Sequence, residues 1–218
     1  MVAGHQGIKY IYSLTFALVR TGRIETPRNM TDLQQYIKSY FGVMADDDLK
    51  TIVSLFKLTT IKKGDYFLKA GKQCDKLSFI QSGILRIFVE TGDKEVTQWI
   101  STAGFFITDV SSLIFHNPAR FTIQALTDTE MLTITRDDYS RINKLIPLWY
   151  QFEKNFLALY FTMMEDRIFS HLSMTSEERY HRFFESNKEL FNQVPLQYIA
   201  SMLGMTPETF SRIRKKQL

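Results

Sequence analysis

Apolar and polar positions follow different periods in successive parts of the chain. Near the start, apolar residues recur at helical spacing within 31–40 and again within 46–56. From Leu58 to about Thr135 the period changes to two, and turn signals such as Lys63-Gly64-Asp65 and Thr91-Gly92-Asp93 separate the apolar runs. Short strands at a spacing of roughly ten residues predict a β-roll or barrel.

A long helix is predicted after the strands, beginning after Pro147 and extending to about Met174. Apolar residues mark two of its faces. One face carries Trp149, Phe152, Phe156, Leu159 and Met163, and the second carries Leu157, Tyr160, Phe161, Met164 and Ile168. A helix that is apolar on two sides needs two packing partners, and the simplest pair is the β-roll and the same helix of a second subunit. We therefore predict a homodimer; burial of this helix inside one subunit is the alternative.

The last stretch of the chain, 194–216, has the pattern of two short helices joined by a tight turn. Ile199 and Leu203 give the first helix an inward face, and Gly204 allows the turn. Thr206 is a natural N-cap for the second helix, with a proline directly after it. This arrangement is typical of a helix-turn-helix unit, which places its second helix in the major groove of DNA.

The second of these helices has an outward face suited to DNA, because helical spacing turns Phe210 and Ile213 inward. The predicted DNA-binding residues are Pro207, Glu208, Thr209, Ser211, Arg212, Lys215 and Lys216. Arg212 can bond guanine O6 and N7, and Glu208 can accept a hydrogen bond from cytosine N4. The two lysines suit backbone phosphates.

Composition narrows the classes of function. The net charge of +4 is only mildly basic and does not separate a nucleic-acid binder from a basic enzyme. Cys74 is the only cysteine, which excludes a four-cysteine iron–sulfur cluster and fits a reducing cytoplasm. The four histidines have no metal-ligand spacing, and the sequence has no nucleophile elbow or phosphate-binding glycine loop. We therefore expect that the protein binds no metal and no cofactor and that it is not an enzyme.

Two sets of motifs occur in a recognisable order. The terminal helices contain Ile199-Ala200-x-x-Leu203-Gly204-Met205-Thr206-x-Glu208-Thr209-x-Ser211-Arg212. The strand region contains Lys63-Gly64-Asp65, Gly71, Leu77-x-Phe79-Ile80-x-x-Gly83-x-Leu85-Arg86 and Gly104-Phe105-Phe106. With these motifs, and with the long helix between them, the chain resembles the CRP/FNR family of transcription regulators over about 30–216.

The resemblance implies an α+β fold and a dimer that reads a palindromic DNA site. The implied parts are an N-terminal extension at 1–29, a cyclic-nucleotide-binding-like double-stranded β-helix or jelly-roll effector domain at 30–146, a dimerisation helix at 147–174 and an all-α helix-turn-helix DNA-binding domain at 175–218. The chain departs from the family at Pro207, where cyclic-AMP-responsive members have a base-reading arginine. It also stops soon after the second helix, which implies a short, wingless kind. We expect one guanine contact to be missing.

The family's cyclic-nucleotide pocket uses a Gly-Glu pair for the ribose, an Arg-Ser pair for the phosphate and a helical pair for the adenine. By ungapped matching these pairs fall at Thr108-Asp109, Ala119-Arg120 and Met164-Glu165. Because one step along a strand moves a side chain to the other face, Arg120 should point away from the phosphate. Glu165 would add negative charge beside a negative ligand. We therefore expect no cyclic AMP, and the effector-pocket candidates are Thr108, Asp109, Arg120, Met164 and Glu165.

The first 29 residues carry separate expectations. The apolar segment from Ile8 to Val19 is too short to span a bilayer and lacks a cleavage site after it, so we expect no membrane association and no secretory signal. Because Met30-Thr31-Asp32 opens an amphipathic pattern, we expect translation to start at Met30 and residues 1–29 to be an upstream extension. A genuine packing arm is the alternative.

The main prediction is a cytoplasmic, homodimeric transcription regulator that binds double-stranded DNA and has an unidentified small-molecule effector or none. The alternative is a ligand-binding or protein-interaction module with the same fold that does not bind DNA. The two differ in their salt dependence, because binding to DNA phosphates weakens steeply as salt rises.

Overall fold

A computed structural model of the protein describes residues 33–35, 37–38, 45–147 and 149–216. The expected start at Met30 and the predicted extension at 1–29 lie outside the described residues. Within 33–38 the described residues are helical, and Leu33 and Ile37 are fully buried. Their spacing of four places both side chains on one face, as the helical pattern in this segment predicts.

Short antiparallel strands form the centre of the fold, as two four-stranded sheets. In the described part of the chain the strands are β1 (Lys57–Ile61), β2 (Tyr66–Leu68), β3 (Lys76–Ser82), β4 (Leu85–Thr91), β5 (Lys94–Ser101), β6 (Phe106–Ile107), β7 (Thr122–Ala125) and β8 (Thr129–Thr135). One sheet has the order β1-β8-β3-β6 and the other has the order β2-β7-β4-β5. Ile80, Leu85, Ile123 and Met131, which come from both sheets, share one buried cluster. The predicted β-roll is confirmed.

Strand β3 is buried on both of its faces, whereas a strand with one face in solvent alternates apolar and polar residues. Ile80 packs in the cluster shared by the two sheets. Leu77 and Phe79, on the other face, pack in a second cluster with residues from helices, among them Leu33 and Trp149. Because both faces are covered, the period-two pattern is weakest in this strand.

Helices precede, interrupt and follow the strands. They are α1 (Asp46–Ser54), α2 (Val110–Phe115), α3 (Arg136–Leu145), α4 (Trp149–Ser173), α5 (Ser176–Ser186), α6 (Leu190–Gln193), α7 (Leu196–Met202) and α8 (Pro207–Lys215). The predicted α+β class with C-terminal helices is confirmed. The period-two pattern of 58–135 predicts no helix at α2, but the Asp109 carboxylate accepts a hydrogen bond from the Ser112 backbone N–H at 2.9 Å and begins one there.

Helix α4 packs one side on the roll and leaves the other side exposed. Phe152 and Phe156 pack against the buried cluster that contains Phe79 and Trp149. The rings of Phe106 and Phe156 meet edge to face at 5.7 Å. On the opposite side Phe161 is 63% exposed and Ile168 is 60% exposed. The part of the chain that the structure describes therefore covers one of the two apolar faces. No helix within the described residues is long and apolar enough to cross a membrane.

The turn between β3 and β4 requires a glycine. Gly83 has a φ of +98°, a conformation that other L-residues rarely adopt. A Cβ atom at this position would lie 2.4 Å from the Thr129 hydroxyl oxygen and 2.6 Å from the Asp128 carbonyl oxygen. Since no side chain fits, Gly83 fixes the entry into β4 and with it the position of Arg86, three residues on.

Candidate functional site

Helix α8 is anchored by two buried apolar side chains. Phe210 is 1% exposed and Ile213 is 5% exposed, and both belong to the core of the C-terminal helices. At the start of the helix, the Thr206 hydroxyl accepts a hydrogen bond from the Thr209 backbone N–H at 3.2 Å. The cap and the two anchors fix which face of α8 points outward.

The residues predicted to bind DNA lie together along the outward face of α8. Thr209 is half-buried, and the exposed members are Pro207, Glu208, Ser211, Arg212, Lys215 and Lys216. Hydrogen bonds from its own backbone N–H and from the Thr206 hydroxyl lower the pKa of Glu208, so its carboxylate is charged at neutral pH. The Lys216 ammonium lies 3.8 Å from the Glu177 carboxylate. The outward face of α8 is therefore polar and charged, whereas its opposite face is apolar and buried.

A tight turn joins α7 to α8. Gly204 has a φ of +69°, and the Met205 backbone N–H donates to the Ala200 carbonyl at 2.9 Å across the turn. Leu203 and Met205 are buried on either side of the glycine. The turn thus packs the two helices against each other, and it sets the direction in which α8 leaves the core.

A group of aromatic rings packs against the buried face of α8. The Phe210 ring lies 5.1 Å from the Tyr180 ring and 6.0 Å from the Phe191 ring. Phe184 stacks on Tyr180 at 5.8 Å and meets Phe191 edge to face at 4.9 Å. Tyr180 comes from α5, which begins at a capping box formed by Thr175 and Glu178. Because aromatic rings are large and stiff, the packing of these rings fixes the position of α8.

The C-terminal helices pack directly on the second sheet of the roll. The Thr97 backbone N–H in β5 donates to the Ser201 hydroxyl in α7 at 2.9 Å. The guanidinium of Arg86 in β4 lies over the Tyr198 ring in α7, with its central carbon 3.7 Å from the ring centre. Ile84 and Ile100 extend the core of the C-terminal helices into the roll. The two regions therefore share one packed interface.

Arg86 is the buried charge at that interface. Its side chain is 2% exposed, its Nε donates to the Thr97 hydroxyl at 2.9 Å, and its Nη1 donates to the Glu95 carboxylate at 2.6 Å. The centre of the Phe88 ring lies 4.2 Å from the central carbon of the guanidinium. The sequence places Arg86 in a roll motif, but its spacing carries no signal for the contact with Tyr198, because 111 residues of chain separate the two.

A groove lies between the roll and α4, with a cavity volume of about 80 Å³. We call it the roll–helix groove. It is lined by Leu77, Ile87, Gln98, Trp99, Ser101, Phe105, Phe106, Ile107, Thr108, Val110, Phe156, Leu157, Leu159, Tyr160, Met163, Met164 and Arg167. Most of these side chains are apolar, and Arg167 is the one charged residue in the lining that the structure describes. Sequence reasoning did not single out Arg167.

The predicted effector-pocket residues have different positions relative to this groove. Thr108 and Met164 line it. The Asp109 carboxylate is buried and already accepts hydrogen bonds from the backbone N–H groups of Ser112 and Arg120, at 2.9 and 3.1 Å. The Arg120 side chain is exposed beside Phe121, and Glu165 is exposed on α4. The structure therefore does not bring the five candidates together into one polar pocket.

Comparison with known proteins shows that the roll is similar to a described family of domains. The family model of the cyclic nucleotide-binding domain matches residues 58–144, which span β1 to α3. This region of the chain is therefore similar to cyclic nucleotide-binding domains. No curated protein matches the chain by sequence.

Solved structures share the fold over most of the chain. Catabolite activator protein from Thermus thermophilus is 22% identical, with 81% of this chain and 85% of that chain covered and a TM-score of 0.52. CooA from Carboxydothermus hydrogenoformans is 20% identical, with 76% and 77% covered and a TM-score of 0.56. FixK2 from Bradyrhizobium japonicum is 16% identical, with 74% and 83% covered and a TM-score of 0.60.

For two other solved structures the chain spans less than half of their length. The chain spans 43% and 44% of two protein kinase A structures, one of them the regulatory domain from Toxoplasma gondii. The similarity to catabolite activator protein, CooA and FixK2 covers 81%, 76% and 74% of this chain, and it shows a common fold at low sequence identity.

Proposed function

We propose that the protein is a DNA-binding transcription regulator of the CRP/FNR type. The observation that carries the proposal is the orientation of α8. Phe210 and Ile213 hold one face of this helix in the core, while Glu208, Ser211 and Arg212 stand on the exposed face. Helices α7 and α8 then form a helix-turn-helix unit whose second helix is free to enter a major groove.

The residues on the exposed face have distinct roles in this proposal. Arg212 can donate two hydrogen bonds to guanine O6 and N7 from its planar guanidinium. Glu208 is ionised and can accept from cytosine N4. Lys215 and Lys216 lie at the end of the helix, where they suit backbone phosphates. Pro207 cannot supply the base-reading side chain that an arginine would give, so the DNA site should differ from that of cyclic-AMP regulators.

The fold supports this proposal. The match of the roll to the cyclic nucleotide-binding domain and the similarity of fold to catabolite activator protein, CooA and FixK2 support a regulator with a ligand-binding roll. The exposed face of α4 supports the dimer. Leu157, Phe161 and Ile168 are each more than 40% exposed and follow one line along the helix. A second copy of α4 would cover them by isologous packing, which also matches a palindromic site.

The test is a binding measurement with DNA selected from a random pool. We expect a palindromic sequence to be enriched, and we expect its affinity to fall by orders of magnitude between about 50 and 200 mM salt. Arg212→Ala should cost roughly 1–3 kcal/mol and relax discrimination at one base pair, whereas Lys216→Ala should weaken all sequences alike. Arg141→Ala is the matched control, since Arg141 is exposed on α3, in the other part of the molecule.

Two outcomes would contradict the proposal. Unchanged binding of the selected DNA by Arg212→Ala would show that Arg212 does not read a base. No retention of DNA at low salt would remove DNA binding altogether and favour a ligand-binding or protein-interaction module.

A further inference from the structure

Helix α7, the first helix of the proposed helix-turn-helix unit, is tied to two strands of the roll. Near its start, the Tyr198 ring lies under the guanidinium of Arg86 from β4, with the ring centre 3.7 Å from the guanidinium carbon. One turn later, the Ser201 hydroxyl accepts a hydrogen bond from the Thr97 backbone N–H of β5 at 2.9 Å. We call these four residues the roll clasp. Because Tyr198 and Ser201 stand three positions apart, one face of α7 makes both contacts.

The end of α7 is tied to two other helices. The Arg167 Nη2 of α4 donates to the Met202 carbonyl at 3.3 Å, and the Arg179 Nε of α5 donates to the Leu203 carbonyl at 3.0 Å. Arg179 also donates to the Met174 carbonyl, at 2.6 Å, in the connection between α4 and α5. The last carbonyls of a helix have no partner within the helix, so these arginines supply one. A swing of α7 therefore breaks contacts with β4, β5, α4 and α5 together.

The roll clasp admits one seating of α7. Arg86 is 2% exposed, and the Thr97 hydroxyl and the Glu95 carboxylate fix the orientation of its guanidinium. Strand β5 lies at the edge of its sheet, and there the Ser201 hydroxyl takes the place of a strand partner for the buried Thr97 N–H. A different seating would leave a buried cation and a buried N–H uncovered by Tyr198 and Ser201, and both losses cost free energy.

The roll is itself packed on α4, the helix whose exposed apolar face supports the proposed dimer. The rings of Phe106 in β6 and Phe156 in α4 meet at 5.7 Å, and the Trp99 ring in β5 lies 5.2 Å from the guanidinium carbon of Arg167 in α4. Packed contacts therefore lead from α4 through the roll to α7, and the tight turn at Gly204 continues them to α8. In a dimer formed through α4, these contacts fix how far apart the two α8 helices stand.

We propose that the roll clasp fixes the separation of the two α8 helices in the dimer, and that it thereby sets the spacing of the DNA half-sites that the protein accepts. The second part rests on the proposed DNA-binding function. One extra base pair between half-sites moves one of them by about 3.4 Å along the DNA axis and turns it by roughly 34°. An α8 helix held by the clasp does not follow this change, whereas an α8 helix on a released α7 does. Arg86 and Tyr198 are thus positioning residues that touch no base.

The first test measures the separation of the α8 helices without DNA. Ser211→Cys places a thiol on the exposed face of α8, and a spin label selects it because the native Cys74 is 1% exposed. Double electron–electron resonance on the full chain should give one narrow distance distribution between the two subunits. Addition of Tyr198→Leu should replace it by a broad distribution. Tyr198→Phe keeps the ring and is the matched control, which should stay narrow.

The second test compares the selected palindromic DNA with versions whose spacer is one base pair longer or shorter. We expect the wild type to bind the altered spacers about tenfold more weakly, which corresponds to roughly 1.4 kcal/mol. In Tyr198→Leu this penalty should fall below about threefold, while the affinity for an isolated half-site stays within about twofold of the wild type, because only the linkage between the two readers changes. Ser201→Ala removes the acceptor of the Thr97 N–H and should lower the penalty in the same direction.

The ratio between spacers separates positioning from stability, because a general loss of stability weakens binding to every spacer alike. Far-UV circular dichroism verifies that each variant is folded. A broad distance distribution in the wild type, a narrow one in Tyr198→Leu, or an unchanged spacer penalty in both clasp variants would overturn the proposal. Absence of DNA binding by the wild type at low salt would instead refute the proposed function, and the distance measurement would still show whether the clasp holds α8.

Discussion

The guanidinium of Arg86 lies over the ring of Tyr198, with 3.7 Å between the guanidinium carbon and the ring centre. Arg86 belongs to β4. Tyr198 belongs to α7, the helix that precedes the turn into α8. Arg86 is fixed on its other edges by Thr97 and Glu95. Any rearrangement that moves α7 away from the roll must therefore separate a buried cation from an aromatic face.

The first prediction concerns the ring of Tyr198. Tyr198→Leu should lower the free energy of unfolding by about 1–2 kcal/mol, because a desolvated cation–π contact is lost while an apolar side chain remains. Tyr198→Phe keeps the ring and is the matched control, with an expected change below about 0.5 kcal/mol. Urea unfolding measures both. Equal losses for the two variants would mean that the tyrosine hydroxyl, and not the ring, matters.

The second prediction concerns the carboxylate that pairs with Arg86. Glu95→Gln should destabilise the protein by about 1–3 kcal/mol, since it leaves a buried guanidinium without its counter-charge. Glu90, the residue opposite Glu95 in the β4–β5 pairing, is exposed and supplies the control. Glu90→Gln removes the same charge from the same hairpin, and its effect should stay within about 0.5 kcal/mol. A similar loss in both variants would point to a general charge effect in place of the Arg86 pair.

The third prediction concerns Gly83. Gly83→Ala should cost roughly 2–4 kcal/mol, because it combines an unfavourable φ with a clash against the backbone at Asp128 and Thr129. Gly64→Ala isolates the first cause, since Gly64 has a similar φ of +91° but nothing within 4 Å of an added Cβ atom. We expect it to cost about 1–2 kcal/mol in thermal or urea unfolding. If Gly83→Ala cost no more than Gly64→Ala, the turn would have room to relax.

The sequence was sufficient for the features that depend on local spacing. Phe210 and Ile213 stand three positions apart on one face of a helix, and the structure buries both. The strand region and its glycine turns follow from a period of two and from Gly83, whose conformation only glycine tolerates. In each case the signal lies within a few residues of the feature that it predicts.

Features that depend on docking could not be predicted in the same way. The contact between Arg86 and Tyr198 joins two surfaces whose patterns say only that each is partly apolar. Arg167 reads in the sequence as one more charged residue on a helix, and its place in the roll–helix groove depends on how α4 lies on β5. Helix α2 was missed because the Asp109 cap interrupts a pattern that otherwise reads as strand.

The fourth prediction concerns the exposed apolar face of α4. Phe161 and Ile168 are seven residues apart, two turns along one side of the helix, and they are 63% and 60% exposed. If this face is the interface between two copies, the double variant Phe161→Glu with Ile168→Glu should be monomeric where the wild type is dimeric. Burying four carboxylates in a twofold interface is strongly unfavourable. Size-exclusion chromatography with light scattering at micromolar concentration measures the mass.

The control for the α4 variant is the same change at an apolar residue elsewhere. Leu145, at the end of α3, is 53% exposed, so Leu145→Glu introduces a carboxylate in place of an exposed apolar side chain without touching α4. It should remain dimeric. A double variant that stays dimeric would place the interface elsewhere, and a monomeric wild type would remove the dimer. Because each half of a palindromic site is read by one subunit, the monomeric variant should also lose most of its affinity for selected DNA while α8 is unchanged.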